Sequence, residues 1–289
     1  MKFKKVAKLL LSCLMAGALF TGCGGGDKPA ADKPSADNAP EVKLGMITHL
    51  NATEKKMVGI LKAVQEESGV PLSKYVITYY DSLNLMNMGI ESGSVDQVSL
   101  YKSVADYVIA NNDKFELVND KALASMSDNF CFAVRKDDAQ LKADLDKVIG
   151  EMKADGTLDK LINDYITNVD KGQAPPAIEI PMTDGADTIK VGVTGDLPPL
   201  DYVSADGQPA GFNTALLSEI ANRLGRNVEV VDIDSGARAT ALTSKQIDVI
   251  FWAVVPFKGK MPVDVDKPEN VEFTAPYFQD DVTHLKLKK

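Results

Sequence analysis

From Val42 onward, short apolar runs that suit β-strands alternate with segments that have the apolar spacing of amphipathic helices. The first unit runs from the strand-like VKLGMI through the helix-like NATEKKMVGILKAVQEE to the strand-like YVITYY. This alternation favours parallel strands in one sheet, because each helix returns the chain to the edge where the previous strand began. The sequence therefore predicts an α/β fold with mixed, mostly parallel sheets flanked by helices.

The alternation is interrupted once, between two halves of similar character. Asn168–Thr188 contains Pro175, Pro176 and Pro181 together with several turn-forming residues, which is typical of a linker. Just before it, GTLDKLINDYI has apolar residues at helical spacing and has the character of a last helix. After the linker the alternation resumes with IKVGVT, and the length suits two lobes of roughly 100–150 residues each.

The first 22 residues predict an export signal. A basic start, MKFKK, precedes an apolar stretch from Leu9 to Phe20, which is shorter than the roughly 20 residues needed to span a bilayer. The next residues, LFTGC, place Cys23 where a bacterial lipobox has its diacylated cysteine, and 23–41 has the composition of a disordered tether. An ordinary signal peptide with an incidental cysteine is the alternative. We predict an extracytoplasmic protein, lipid-anchored to the cell membrane through Cys23, on the periplasmic or the outer face.

Composition argues against several classes of function. The formal net charge is −9, and the four leader lysines make the remainder still more acidic, which disfavours nucleic acid as a partner. Of the three cysteines, Cys131 alone remains after the signal and the lipidation site, so no intrachain disulfide is expected. Two histidines and no Cys/His cluster disfavour a metal site, and no cofactor is expected. There is also no phosphate loop and no nucleophile elbow, so we do not expect an enzyme.

Several ordered motifs resemble one family. IKVGVTGDLPPLDYVSADGQPAGFNTALLSEIANRLG is similar to the opening of the type II periplasmic solute-binding proteins, family 3, which serve amino-acid ABC importers. The similarity lies in a first strand, a Pro-Pro turn, an Asp-Gly hairpin at Asp206 and Gly207, and a Gly-Phe helix start. QIDVIFW and FTAPYFQDD resemble later segments of the same lobe, SGSVDQVSLYKSVADYVI resembles the family's second lobe, and CFAVRKDDAQLKADLDKVIGEMKADGTLDKLINDYI resembles its C-terminal end.

The order of these segments differs from that of the family, in which the first lobe precedes the second. The resemblance therefore implies a circular permutation of the two-lobed fold, and two incomplete copies of the fold are the alternative. The predicted segments are a signal peptide (1–22), a tether (23–41), the family's second lobe (42–129), a crossing strand with terminal helices packed on the first lobe (130–169), a linker (170–188), the first lobe (189–280) and a strand crossing back (281–289). We call 42–129 the amino lobe and 189–280 the carboxyl lobe. We predict that Val282–Lys288 pairs in the amino lobe, with hinges near Phe130–Arg135 and Gln279–Leu285.

The resemblance implies a ligand cleft between the lobes and a binding function. We expect a monomeric receptor that captures a small polar solute, an amino acid or a related organic acid, and delivers it to an ABC transporter permease. One alternative is a ligand-sensing protein for signalling. Another is a dehydratase-like enzyme on the same fold, which would need an acid or base such as Asp196 or Glu219 in the cleft.

The family's cleft is lined by the loop after each lobe's first strand and by the ends of later strands. The candidate ligand contacts are Thr194, Asp196, Leu197, Tyr202, Arg238, Trp252 and Ala253 in the carboxyl lobe, with Thr48, His49, Asn51, Thr53 and Tyr101 in the amino lobe. Trp252 either stacks on the ligand or packs in the core. Arg238 either holds a ligand carboxylate or pairs with Asp232 or Asp234, and Asn51 or Thr53 either contacts the ligand or only caps the helix.

Two family positions that recognise an amino acid are altered here. The Thr-x-x-Arg segment that holds the α-carboxylate in relatives is replaced by VVPFKGK, with Lys260 nearest the arginine position, and Tyr101 stands where an acid normally takes the α-ammonium. An unpaired buried ammonium is costly, unless another acid such as Asp81 or Asp196 replaces the missing one. We therefore predict a small polar or anionic solute, with an aromatic group stacked on Trp252 or Tyr101 as one form, and standard amino acids as the alternative.

Overall fold

In the computed structural model, the described residues are 41–48, 50, 55–57, 59, 74–119, 127–256 and 267–289, with the backbone alone for 253–256. The predicted signal peptide, Cys23 and the tether up to residue 40 lie outside this part of the chain. His49, Asn51, Thr53 and Lys260 also lie outside it. Within these ranges, no helix has both the length and the apolar character needed to cross a membrane.

The described residues of the amino lobe include four strands and two helices. They are β1 (Glu41–Ile47), β2 (Lys74–Tyr80), α1 (Leu83–Glu91), β3 (Gln97–Tyr101), α2 (Lys102–Asn111) and β4 (Phe115–Leu117). Next come β5 (Ser127–Arg135), α3 (Ala139–Ala154) and α4 (Thr157–Ile162), the last continued by a π-helical turn (Asn163–Thr167).

The carboxyl lobe begins after the linker. Its elements are β6 (Thr188–Val193), β7 (Asp196–Leu197), β8 (Asp201–Val203), β9 (Pro209–Ala210), α5 (Gly211–Leu224), β10 (Asn227–Asp232), a 3-10 turn (Ser235–Ala237), α6 (Arg238–Thr243), β11 (Val249–Pro256), β12 (Val271–Phe273) and β13 (Phe278–Leu287). The strands β7, β8 and β9 form a small antiparallel sheet of their own.

The remaining strands form a sheet in the order β10-β6-β11-β5-β13-β3-β1-β2, with β12 also on β5 and β4 also on β13. In the amino lobe β1 is parallel to β2 and β3, and in the carboxyl lobe β6 is parallel to β10 and β11. The strands β5 and β13 are antiparallel to their neighbours. The predicted α/β fold with two lobes of mixed sheet is confirmed.

Strand β13 connects the two lobes. Its first part, Phe278–Asp281, pairs with β5, and its second part pairs with β3 and β4. Val282 lies opposite Tyr101, and Leu285 lies opposite both Val98 and Leu117. The prediction that this end of the chain pairs in the amino lobe is confirmed, and one crossing falls inside the predicted stretch 279–285.

Strand β5 pairs with β11, β12 and β13 along its length, so the chain has already entered the carboxyl-lobe sheet at Ser127. Phe130–Val134 is buried without interruption, as expected for a central strand covered on both faces. The predicted hinge at Phe130–Arg135 stays a prediction.

The core is continuous between the lobes at Phe130. This ring is fully buried and contacts the rings of Tyr101, Trp252 and Phe278 at centroid distances of 4.7, 4.6 and 5.3 Å. Tyr101 belongs to the amino lobe and Trp252 to the carboxyl lobe. The neighbouring Cys131 is buried as well, and burial raises the pKa of its thiol to about 12, so it packs as a small neutral side chain.

Candidate functional site

The two lobes touch directly along a line where strand ends of both lobes meet, which we call the seam. Between described residues, three hydrogen bonds cross it: Leu83 N donates to Asp196 Oδ2 (2.5 Å), Arg238 Nη2 donates to Thr48 O (2.8 Å), and Ser235 N donates to Asp81 O (3.5 Å). The seam therefore consists of Thr48, Asp81 and Leu83 from the amino lobe and Asp196, Ser235 and Arg238 from the carboxyl lobe. It is the place where a ligand between the lobes would meet polar groups from both sides.

Parallel pairing brings the amino-lobe groups together. Because β1 and β2 are parallel, their carboxyl ends meet at one sheet edge, where Thr48 Oγ1 donates to Asp81 Oδ1 (2.9 Å). Helix α1 then starts at Leu83, and Ser82 caps it by accepting from Leu85 N (3.2 Å). The first N–H groups of a helix have no partner within the helix, so Leu83 N is available to a carboxylate.

On the carboxyl-lobe side, the loop after β6 is built around Asp201. Its Oδ2 accepts from Thr194 N (2.8 Å), Thr194 Oγ1 (3.1 Å) and Gly195 N (3.1 Å). Gly195 has φ of +69° and leaves too little room for a Cβ beside Val203, so the turn requires glycine here. Asp201 was missed as a site residue, although a lone aspartate in the apolar stretch PPLDYV is a signal for a buried structural acid.

This turn positions Asp196 on β7, where its carboxylate faces the amino lobe. The pKa of Asp196 is raised to about 6: burial is the largest cause, the hydrogen bond from Leu83 N opposes it, and the negative charge of Asp201 adds to it. Burial also raises the pKa of Asp201, against the lowering effect of hydrogen bonds from Gly195, Thr194 and Trp252. The seam therefore contains a carboxylate that is expensive to keep ionised while the lobes are together.

Arg238 is almost fully buried at the start of α6. Its Nε donates to Ser235 O (3.1 Å), and its Nη2 reaches across the seam to Thr48 O. These bonds go to backbone carbonyls rather than to the predicted partners Asp232 or Asp234. A buried guanidinium in this position joins the lobes, and its role toward a ligand carboxylate stays a prediction.

Trp252 lies in the core rather than on the seam surface. It has φ of +69° at an irregularity in β11, is 6 % exposed, and packs against Phe130 and Phe251. Its indole N–H reaches the side-chain oxygen of Asn213 (2.6 Å) when that amide is oriented to accept. This placement favours the core interpretation of the residue, and stacking on a ligand stays a prediction.

The other candidates lie around the seam or outside the described residues. Tyr101 ends β3, and its hydroxyl donates to Asp128 Oδ2 (3.1 Å). Leu197 and Tyr202 are half-buried in the β7–β8 hairpin beside Asp196, and Ala253 pairs through its backbone with Cys131. The structure thus brings Thr48, Asp196 and Arg238 together, with Thr194 adjacent, whereas His49, Asn51 and Thr53 are not described.

The surroundings of Glu219 and the arrangement of the acidic side chains bear on whether the site can act as an enzyme or hold a metal ion. Glu219 is held by Arg223 Nε (2.7 Å) on α5, and Arg223 also binds Asp155 (2.9 Å) next to the terminal helices, so Glu219 is engaged away from the seam. In the described ranges, no group of three or more His, Cys, Asp or Glu side chains is arranged to hold a metal ion.

Arg238→Ala is expected to lower the free energy of unfolding by about 1.5–3 kcal/mol, because it removes charged donors from one buried and one half-buried carbonyl. Urea denaturation followed by circular dichroism measures the change. Lys245→Ala is the matched control, since this side chain is 69 % exposed and forms only a long surface ion pair with Asp137. Equal stability of the two variants would contradict the role of Arg238 in joining the lobes.

Part of the chain is similar in sequence to known proteins. Residues 189–289 match the bacterial extracellular solute-binding proteins, family 3. A protein of Campylobacter jejuni named as a probable histidine-binding protein is 32 % identical over 101 residues, which is 35 % of this chain and 36 % of that protein. An arginine-binding extracellular protein of Bacillus subtilis is 28 % identical over 105 residues, covering 36 % and 37 %.

Among solved structures, the glutamate-bound ligand-binding core of GluR0 from Nostoc punctiforme aligns with 86 % of this chain and 85 % of its own, at 9 % identity and a TM-score of 0.35. The chain spans only about a third of the length of the curated relatives that it matches. The similarity in sequence to the extracellular solute-binding proteins of family 3 therefore covers residues 189–289, from β6 to the end of the chain.

Proposed function

We propose that this protein is an extracytoplasmic receptor that captures a small polar solute, in the first place an amino acid, for an ABC importer. The observation that carries the proposal is the seam, where polar groups of the two lobes face each other. Two lobes joined in this way can open and close around a solute. The matched relatives named for histidine and arginine support the amino-acid class.

The proposal includes the order of the lobes and the anchor. A circular permutation is supported by β13, which completes the sheets of both lobes although residues 278–287 are far in sequence from β3. Two incomplete copies would each need another chain to cover their sheet edges. The motif around Cys23 supports a lipid anchor, with a monomeric receptor delivering its ligand to a membrane permease.

The seam favours standard amino acids over the small polar or anionic solute that the sequence placed first. Tyr101 does not supply the negative charge that relatives use for an α-ammonium, but Asp81 and Asp196 both lie in the seam. Either carboxylate can offset a buried ammonium in place of the missing acid. Standard amino acids, first the alternative, are therefore the class that we propose.

The sensing and dehydratase alternatives are less well supported. Asp196 has a pKa suited to an acid or base, but Glu219 is engaged with Arg223, and the matched relatives are named for binding rather than catalysis. Recovery of the ligand unchanged after incubation separates a receptor from a dehydratase.

The proposal is tested with the purified protein and a panel of standard amino acids and organic acids. At least one amino acid should raise the melting temperature, be recovered unchanged by mass spectrometry, and make the protein more compact in small-angle scattering, because closing lobes bury surface. A ligand that binds with no change in the scattering curve would contradict a closing cleft. Absence of binding across the whole panel would contradict the receptor function.

A further inference from the structure

One acid, Asp201, acts directly on the charge of Asp196, and two further carboxylates lie at its turn and in the seam. Asp201 lies beside Asp196 on the paired strand β8, in which Tyr202 is the residue directly opposite Asp196. Asp232, at the end of β10, approaches Gly195, the residue before Asp196: its Oδ1 is 3.5 Å from where a Cβ of that glycine would stand. Asp81 precedes α1 on the opposite lobe, and its Oδ1 is 2.8 Å from the corresponding position of Gly236.

Arg238, the positively charged side chain of the seam, forms its hydrogen bonds with groups other than Asp196. Arg238 donates to the carbonyls of Thr48 and Ser235, and across the described ranges no ion pair joins a lysine or arginine to Asp196. The N-terminus of α1 supplies a partial positive charge through Leu83 N, which is worth less than a full cation. The carboxylate of Asp196 is therefore incompletely compensated while the lobes are in contact.

Ser235 provides a second, independent observation. Its side chain is 2 % exposed, and its hydroxyl oxygen has no hydrogen-bond partner within the described part of the chain. Its backbone groups bind Asp81 on one side and Arg238 on the other, so the unsatisfied hydroxyl belongs to the seam. A buried polar atom of this kind is normally paired, which points to a polar partner that enters from outside the chain.

We propose that the solute is a cation, and that Asp196 selects it by accepting its ammonium or guanidinium group at the seam. The inference rests on the receptor function proposed above and names the class of its ligand. A zwitterion with no further charge would bring its carboxylate into an acidic seam together with its ammonium. A solute with net positive charge, such as a basic amino acid, supplies the missing counter-charge and still offers a carboxylate to Arg238.

The raised pKa of Asp196 predicts the direction in which the affinity for the solute changes with pH. A cation binds the ionised form of Asp196, and with a pKa of about 6 that form falls from most of the protein at pH 7 to about a tenth at pH 5. The affinity for a cation should therefore fall about tenfold between pH 7 and pH 5. A neutral ligand would be indifferent to this change, and an anionic ligand would bind more tightly at pH 5.

Isothermal titration with L-arginine, its uncharged isostere L-citrulline and L-glutamate at pH 7 and pH 5 tests this. Arginine should bind most tightly at pH 7, lose about tenfold at pH 5, and lose at least tenfold with Asp196→Asn, whose affinity should no longer depend on pH in this range. Asp196→Glu, which keeps the charge, should retain the pH dependence. Asp206→Asn, in the exposed β8–β9 turn, is the matched control and should bind as the unchanged protein does.

Folding of the variants is checked by thermal melting at pH 7. Since the folded-state pKa of Asp196 lies above its ordinary value, ionised Asp196 costs stability above pH 6, and Asp196→Asn should melt no lower than the unchanged protein. Tighter binding of citrulline or glutamate than of arginine would overturn the inference. An affinity for arginine that changes neither with pH nor with Asp196→Asn would also overturn it. In either case the receptor function would stand, whereas absence of binding by every amino acid in the panel would overturn both.

Discussion

Phe130→Ala is expected to lower the free energy of unfolding by about 3–5 kcal/mol. The ring is fully buried on β5, between β11 and β13, and touches the rings of Tyr101, Trp252 and Phe278. Its removal leaves a cavity where side chains from both lobes meet, and close-packed neighbours relax into such a cavity only in part. Urea denaturation, followed by far-ultraviolet circular dichroism and by the fluorescence of Trp252, measures the loss.

The matched control is Val76→Ala on β2, where the side chain is 38 % exposed. It should change stability by less than about 1 kcal/mol, because little apolar surface is lost. The two optical probes should also report one transition in the unchanged protein, since Phe130 ties both lobes into one core. A loss below about 1 kcal/mol for Phe130→Ala, or separate transitions for the lobes, would contradict the shared core.

Cys23→Ser is expected to abolish retention at the membrane and release a folded protein. Lipid attachment requires the thiol, and a serine hydroxyl at the same position is not a substrate for thioether formation. The change lies outside the described residues and is separated from β1 by the predicted tether, so the fold should not be affected. Cell fractionation measures the release, and mass spectrometry of the mature N-terminus measures the diacyl group.

Cys131→Ala serves as the control for this experiment. Cys131 is buried in β5, and the loss of its thiol should leave the protein at the membrane even where it lowers stability slightly. If the Cys23→Ser protein stayed at the membrane, with the same N-terminal processing as the unchanged protein, the lipobox interpretation would be wrong. Release of both variants alike would point to an anchor other than the lipid.

Local periodicity was sufficient to predict the class of fold. Runs such as IKVGVT and YVITYY became parallel strands, because their apolar residues must be covered by the helices that follow them. The pairing of Val282–Leu287 in the amino lobe was also anticipated, but from the order of family-like motifs rather than from the strand's own residues. Residue pattern and order therefore determined which elements form and in which lobe they lie.

The point at which β5 enters the carboxyl lobe was decided only by the tertiary structure. An apolar run such as NFCFAV indicates that a strand is buried, but it does not indicate which neighbouring strands cover it. The pairing with β11, β12 and β13 begins at Ser127, several residues before the stretch favoured from the sequence. The same limitation left Trp252 open between a ligand contact and a core side chain until its burial was known.

The seam, too, was decided by tertiary structure. Thr48, Asp196 and Arg238 were each named from their positions after strands. In the fold, however, Asp196 binds Leu83, which is 113 residues away in sequence, and Arg238 binds Thr48, which is 190 residues away. Asp201 and Ser235 were not named at all, because their local sequence gives no sign of what will pack against them. The sequence by itself determined the secondary structure and the residue types at the strand ends. Only the packing of two lobes determined which carboxylates are buried together, since burial and charge compensation depend on neighbours that the chain supplies from far away.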